Sequence, residues 1–266
     1  MGDPGSRGEV VYGVHAVTQL LTARWSEVER VFVVLGRPAR LGPLLRLARE
    51  RGVPVSHVAA DVLGAKVGRR AVHQGVAARV ASRVYAVAEE LCQAAAADPH
   101  ALLVLVDRVT DPRNLGAILR ASAGAGARGV LLAVEETAGL TAVAVKASAG
   151  AVEWIPVARE PKPARRIESL RRSGFAAIAL DPGAGEAWTE PALTGRVVVV
   201  AGGERSGPSR GVAAACDRRV SIPMAPGVDS LNVAVALGVL LFEAVRQRRA
   251  EARGAGTPGA DPGQGP

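Results

Sequence analysis

Three short polar segments, each set beside an apolar run, hold the residue types in this chain that could do chemistry. The first is Asp111-Pro112-Arg113-Asn114-Leu115-Gly116, with Arg120 following. Asn114 offers an amide, and Arg120 a planar guanidinium that can clamp a phosphate bidentately. Six residues apart on a helix, they point about 120° apart and lie roughly 9 Å apart along the axis. Both would reach one cleft if the first turn is irregular. The second segment is Gly202-Gly203-Glu204-Arg205-Ser206-Gly207. Two glycines directly after a buried strand let backbone approach a ligand closely, and Glu204 would be a lone carboxylate at a strand end. The third runs from Ile222-Pro223-Met224 to Ser230-Leu231-Asn232-Val233. Prolines and Gly227 deny this loop regular structure, and a long ordered loop inside a compact domain is usually functional. Taken singly, the first segment also reads as a capped helix with a surface Arg, the second as a loop with a solvated acid, and the third as an ordinary strand–loop–helix with a good cap. The second lacks the G-x-G-x-x-G spacing, and no G-K-[ST] follows any strand. That argues against a dinucleotide or nucleoside-triphosphate site.

The elements that must position these loops alternate strand and helix. Val14, Val17, Leu20 and Leu21 share one helical face, and Val31 to Leu35 is a buried-type strand. Leu41 to Glu50 is helical and Gly52 ends it. Val53-Pro54-Val55 is a short strand that Pro54 assigns to an edge, and Gly75 to Val80 is another strand. A second series comprises strands at Leu102–Val106, Gly129–Val134, Ala176–Leu180, Val197–Ala201 and Val220–Ile222. Its helices are Leu115–Ala123, Thr141–Ala149, Lys162–Arg172 and Leu231–Arg249. Strands with no polar side chain are buried on both faces, as in parallel sheets. The expected fold is therefore α/β, a mostly parallel sheet domain with a smaller N-terminal α/β domain. The expected division is a flexible lead at 1–8, an α/β domain at 9–81, a linker at 82–99, the main domain at 100–250 and a disordered tail at 251–266. In the third segment, Ser230 or Asp229 is placed to cap the last helix, and Asp111 with Pro112 at the first helical position caps the helix of the first segment.

The chain carries a formal charge of +8 over 266 residues. Residues 1–80 hold 12 Lys and Arg against 6 Asp and Glu, so most of the excess lies in the first third. A basic domain suits a polyanion, because Lys and Arg displace phosphate counterions, though charge alone gives nucleic acid only a modest edge. Aromatic residues make up 3% of the chain, which argues weakly against base recognition by stacked rings. Cys92 and Cys216 show no metal-ligand spacing. The N-terminus lacks a signal-peptide core and no apolar run reaches a membrane span of roughly 18 residues. A cytoplasmic protein without membrane attachment is expected.

In their order along the chain, the three segments resemble the three motifs of the SpoU (TrmH-like) RNA ribose methyltransferases. Asp111 to Gly116 with Arg120 matches the first motif, Gly202 to Gly207 the second, and Ile222 to Met224 with Ser230 to Val233 the third. Tyr12-Gly13-Val14-His15-Ala16-Val17 and His73-Gln74-Gly75-Val76-Ala77-Ala78 resemble the family's N-terminal substrate-binding domain. Phe242 to Arg248 resembles its C-terminal helix. The resemblance covers about residues 9 to 249. Three departures stand out: Asp229 and Ala234 where relatives often carry small hydroxyl residues, and Pro208-Ser209 in place of an apolar residue. None removes a proposed catalytic group.

The resemblance implies a trefoil-knotted SPOUT domain, a homodimer and S-adenosylmethionine as cofactor. It implies methyl transfer to a ribose 2′-hydroxyl of RNA, a guanosine of 23S ribosomal RNA being the expected target. Transfer RNA, a resistance-type ribosomal site and a catalytically inactive RNA-binding relative are the alternatives. Gly202, Gly203, Gly207, Ile222, Pro223, Met224, Ser230, Leu231 and Asn232 are the implied donor-binding residues. Asn114, Arg120, Glu204, Ser230 and Asn232 are the implied catalytic set. His15, Arg69, Arg70 and His73 are candidates for gripping RNA. A methyl group leaving a sulfonium departs from a neutral thioether, so no metal is called for. Arg120 is implied either as general base or as a phosphate clamp. A guanidinium, with a pKa above about 12, is the more comfortable in the second role.

Overall fold

Two hydrogen-bonded sheets organise the described residues of the chain. A computed structural model describes residues 8–36, 38–68, 71–81, 84–203, 207–228 and 230–255. The first sheet contains β1 (Gly8–Tyr12), β2 (Val28–Val34), β3 (Val55–Val58) and β4 (Val76–Ala81), in the order β1-β4-β2-β3. Only β2 and β3 are parallel; the other pairs are antiparallel. Helices α1 (Val14–Ala23) and α2 (Pro38–Glu50) pack on each other, and α3 (Ala60–Val67) packs on β1, β2 and β4. β3 begins just after Pro54 and sits at the sheet edge, where a missing N–H costs least.

The second sheet is parallel throughout and runs β7-β6-β5-β10-β8-β11-β9. Its strands are β5 (Leu102–Val106), β6 (Gly129–Ala133), β7 (Val157–Glu160), β8 (Ala176–Leu180), β9 (Glu186–Ala187), β10 (Val197–Ala201) and β11 (Arg218–Ser221). Central strands β5 and β10 are buried at every residue. Their side chains alternate between two faces. Leu102, Val104 and Val106 join one core with helices α5 (Pro112–Gly124) and α9 (Val233–Ala255). Leu103 and Leu105 join another core with α4 (Ala88–Ala96), α7 (Pro163–Arg172) and α8 (Arg210–Ala215). Both faces of the sheet are thus covered, as unbroken Val and Leu runs require.

Three expected boundaries are corrected. The stretch expected as a linker at 82–99 contains α4, whose Leu91, Cys92 and Ala95 are buried against the second sheet. Its acidic and Ala-rich composition is that of a helix with one apolar face. Gly8, expected in the flexible lead, already pairs with Ala81 in β1. Helix α9 extends to Ala255, past the expected start of the tail at 251. Residues 1–7 and 256–266 lie outside the described residues.

The two domains meet through side chains. Lys146, on α6 (Ala142–Ala147), sits 4.9 Å over the Tyr12 ring and donates to the Val72 carbonyl at 2.5 Å. Arg24 pairs with Glu27 and with Glu153, the latter at 3.5 Å. The Trp154 indole N–H donates to Gln19 Oε1 at 2.8 Å. The two N-terminal signature segments also touch, since the Val14 N–H donates to Gln74 Oε1 and the Gly13 N–H to the Val76 carbonyl.

Candidate active site

Sheet register explains why loops far apart in sequence converge. β10 pairs with β5 so that Ala201 faces Val106, and the Asp107 N–H donates to the Ala201 carbonyl. β8 lies on the other side of β10, and the Asp181 N–H donates to the Val220 carbonyl of β11. The carboxyl ends of β5, β10, β8 and β11 therefore lie along one edge of the sheet. Ligands bind at this edge in open α/β sheets.

The second motif folds back on itself at that edge. The N–H of Gly203 donates to the Gly207 carbonyl and the Gly207 N–H returns the bond, both at 2.9 Å. Gly202 is buried behind this turn. A Cβ built there would lie 1.9 Å from the Pro208 nitrogen and 2.0 Å from the Gly207 carbonyl carbon, so no side chain fits. The turn is anchored from the first motif's strand, because Asp107 Oδ2 accepts the Ser209 N–H at 2.7 Å. Asp107 is buried, and this bond gives its Oδ2 a partner.

The turn walls an open cleft at this edge of the sheet. Gly203 and Gly207 line it with Ile222, Met224, Ser230 and Leu231. Leu180, Val220, Val233 and Ala236 supply further apolar wall, and Asp181 and Ser221 polar groups. Of the expected donor-binding residues, Gly202, Pro223 and Asn232 are not on the wall. Gly202 supports the turn from behind, and Pro223 is exposed.

Asn232 has a different task. Its Oδ1 accepts the N–H groups of Ala234 and Val235 at 3.0 and 3.4 Å, which caps α9. The expected caps, Ser230 and Asp229, are displaced from that role; Ser230 lines the cleft instead, and Asp229 lies outside the described residues. With its oxygen committed to the helix, Asn232 turns its Nδ2 outward to donate to Asn114 Oδ1 at 2.9 Å. This bond ties the first motif to the third across 118 residues. Asn114 stands in the first turn of α5, which is capped as expected. Asp111 Oδ1 accepts the Arg113 N–H at 2.7 Å and Pro112 occupies the first helical position. Gly116 lets α5 meet α6, because a Cβ there would lie 2.5 Å from the Ala144 carbonyl oxygen and the Ala147 Cβ.

Arg120 does not share the cleft, contrary to expectation. Helix α5 is regular from Pro112 onward, so the angular offset between Asn114 and Arg120 is kept. Arg120 is exposed and lines a second groove with His15, Gln19, Ser148, Ala149, Ala151 and Trp154. The cleft and this groove have no wall residue in common. Helix α5 connects them, touching the cleft's third motif at Asn114 and the groove at Arg120. His15 projects from α1 of the N-terminal domain, so the groove is built from both domains. His73 is part-buried, and its Nδ1 accepts the Gly75 N–H at 3.1 Å, which holds the turn before β4. Glu204, Arg69 and Arg70 lie outside the described residues.

Asp181 and Pro182 on the cleft wall, and Trp154 and Gln19 in the groove, were not among the expected site residues. The first pair is recruited by strand order, which no local pattern encodes. Trp154 follows a one-turn 3₁₀ helix (Ala151–Glu153), too short for periodicity to reveal. Its one available signal was a large aromatic in a chain that has few.

Residues 101–242 match the SpoU rRNA methylase family, and residues 10–86 match the RNA 2′-O ribose methyltransferase substrate-binding domain. The chain is 41% identical over 248 residues to the 23S rRNA (guanosine-2′-O-)-methyltransferase RlmB of Pseudomonas putida, spanning 92% of this chain and 98% of that protein. It is 37% identical to RlmB of Escherichia coli, spanning 90% of this chain and 99% of that protein. Among solved structures it resembles the SpoU methyltransferase AviRb of Streptomyces viridochromogenes in complex with AdoMet. The TM-score is 0.75 at 27% identity, over 92% of this chain and 91% of the other. Two matched domains in the family's order, and identity sustained over nearly the whole length, show that the chain belongs to the SpoU rRNA methylase family.

Proposed function

We propose that this enzyme transfers the methyl group of S-adenosylmethionine to the 2′-hydroxyl of a guanosine ribose in 23S ribosomal RNA. It does so in the cytoplasm as a homodimer with a trefoil-knotted catalytic domain. The observation that carries the reading is the cleft at the carboxyl edge of the parallel sheet, walled jointly by the second and third motifs. Its chemistry fits the donor. Leu180, Val220, Ile222 and Leu231 offer apolar surface for an adenine ring, side-chain-free Gly203 and Gly207 let backbone come close, and Asp181 and Ser230 supply polar contacts. The donor supplies an electrophilic methyl group on a positively charged sulfur.

What remains for the chain is to position the acceptor oxygen and ease its proton away. Asn232, which lies in sequence between the wall residues Leu231 and Val233, holds Asn114 through the 2.9 Å amide bond, which fixes two polar groups where the third motif meets α5. Arg120 reads as the clamp on the neighbouring phosphate, one helical segment away on the same rigid α5. Glu204, from the second motif, is the candidate to accept the proton or to orient Arg120. Arg69, Arg70 and His15 are proposed to hold RNA from the N-terminal domain, whose first third of the sequence carries most of the excess positive charge.

The homodimer is supported by α9, which exposes Val235 and Phe242, two turns apart on one face, at 52% and 51%. The knot is proposed from membership of the SpoU family, as the resemblance implies. No helix among the described residues is long and apolar enough to cross a membrane. The test is transfer of tritiated methyl from S-adenosylmethionine to transcribed 23S fragments and, in parallel, to transfer RNA, followed by mapping of the label. A single 2′-O-methylguanosine is expected. Label on transfer RNA only, or no transfer at all, contradicts the proposal.

A further inference from the structure

Trp154 is a large apolar ring set in an exposed place. The chain has three tryptophans among very few aromatics, and this one leaves 58% of its surface open. Exposing so much apolar surface costs free energy that burial would otherwise return. The ring is nevertheless tethered. Its indole N–H donates to Gln19 Oε1 at 2.8 Å, across the domain boundary. The turn before it is bent through Ala149 at φ 50° and Gly150 at φ 84°, and a non-glycine residue in the left-handed region marks strain that the surroundings must maintain. The tethered ring lines the same groove as Arg120 and His15. Flat π surface, a guanidinium and an imidazole in one groove match a nucleotide, with the ring for a base and the cation for a phosphate.

We infer that Trp154 is the platform on which an unpaired RNA base stacks, at or next to the nucleotide whose phosphate meets Arg120. The inference rests on the RNA-methyltransferase reading above and adds a recognition residue to it. Stacking on one ring is tolerant of base identity, so Trp154 contributes affinity and placement more than sequence choice. It also assigns a purpose to the Gln19 tether. A ring pinned before RNA arrives loses less rotamer freedom on binding. The alternative is that Trp154 serves only to latch the two domains together, and the variants separate the two roles.

The experiment measures the affinity of a labelled 23S fragment that the wild type methylates, together with kcat and KM for transfer. Trp154→Ala is expected to weaken RNA binding and raise KM by roughly tenfold or more, with S-adenosylmethionine affinity unchanged as a check on folding. Trp154→Phe keeps a stacking face but cannot donate to Gln19, and should lose no more than about threefold. Gln19→Ala removes the tether and keeps the ring, so its loss should fall well short of that of Trp154→Ala. A Trp154→Ala protein that binds RNA as the wild type does overturns the inference. So does an equal loss in all three variants, the pattern of a domain latch. A wild type that neither binds nor methylates 23S RNA overturns the underlying reading and this inference with it, whereas an active wild type beside an unaffected Trp154→Ala overturns the inference alone.

Discussion

The cleft walled by the second and third motifs and the Arg120 groove are built by opposite means. Backbone makes the cleft: a glycine turn locked by reciprocal hydrogen bonds, strand ends fixed by sheet register, and apolar residues on the walls. Side chains make the groove, and they come from two domains that touch through ion pairs and an indole tether. The cleft's glycine turn and the strand ends beside it are tied by backbone hydrogen bonds, which favours a stiff wall. A groove spanning two domains can adjust, since such contacts are smaller and more polar than a core. The difference suits a small invariant donor on one side and a large, variable polynucleotide on the other. It also predicts that damage to the two regions will separate in the assays.

The largest effect should come from Gly202→Val. No side chain fits between Gly202 and the backbone of Gly207 and Pro208, so the turn must open at a cost of about 1–3 kcal/mol. Both donor binding, by calorimetry, and methyl transfer should disappear, with a lower melting temperature. A variant that still binds donor normally would show that the cleft does not depend on the turn. Arg120→Ala comes next. Transfer should fall by about 10²–10³-fold, the scale for losing a positioned cation or donor, while donor affinity stays put because Arg120 is absent from the cleft wall. Parallel loss of donor affinity would merge the two regions into one site.

Asn232 lies where the regions meet, and its effect should be smaller. Asn232→Ala loses the cap of α9, worth about 1 kcal/mol, together with the bond to Asn114. Asn232→Asp keeps the cap acceptor but cannot donate to Asn114. It should therefore melt near the wild type yet turn over about tenfold more slowly, the scale of one hydrogen bond lost. Equal melting and equal turnover would make the amide bridge ornamental. The smallest effect concerns the cysteines, which lie away from both regions' walls. Both are free thiols, and burial pushes Cys92 up to about 11 and Cys216 up to about 12. At pH 8 the native protein should react slowly with iodoacetamide and keep its activity. Rapid alkylation would mean that the α4 and α8 faces open readily.

The cleft was more legible in the sequence than the groove, for the same structural reason. A backbone turn requires particular residue types at fixed spacing, so Gly202, Gly203 and Gly207 announce it, as Asp111-Pro112 announces the start of α5. The apolar strands β5 and β10 were equally plain. What local pattern could not supply was neighbourhood. Asp181 borders the cleft because β8 lies between β10 and β11, a consequence of long-range pairing. The cap of α9 was misplaced by two or three residues, since Asp229, Ser230 and Asn232 are all competent caps and the helix begins at Val233, just after the last. The acidic, Ala-rich stretch before β5 gave the expectation of a linker, where buried Leu91 and Cys92 make a core helix. Arg120 was expected to share the cleft, and the regularity of α5 carries it to the groove instead.

The account requires that RNA held in the groove present a sugar oxygen to the donor in the cleft. The most direct measurement places a single 2′-deoxyguanosine at the mapped position of an otherwise unchanged 23S fragment. The account predicts that this RNA binds with unaltered affinity and accepts no methyl group. Undiminished labelling of the deoxy substrate would put the methyl on the base, and would contradict it.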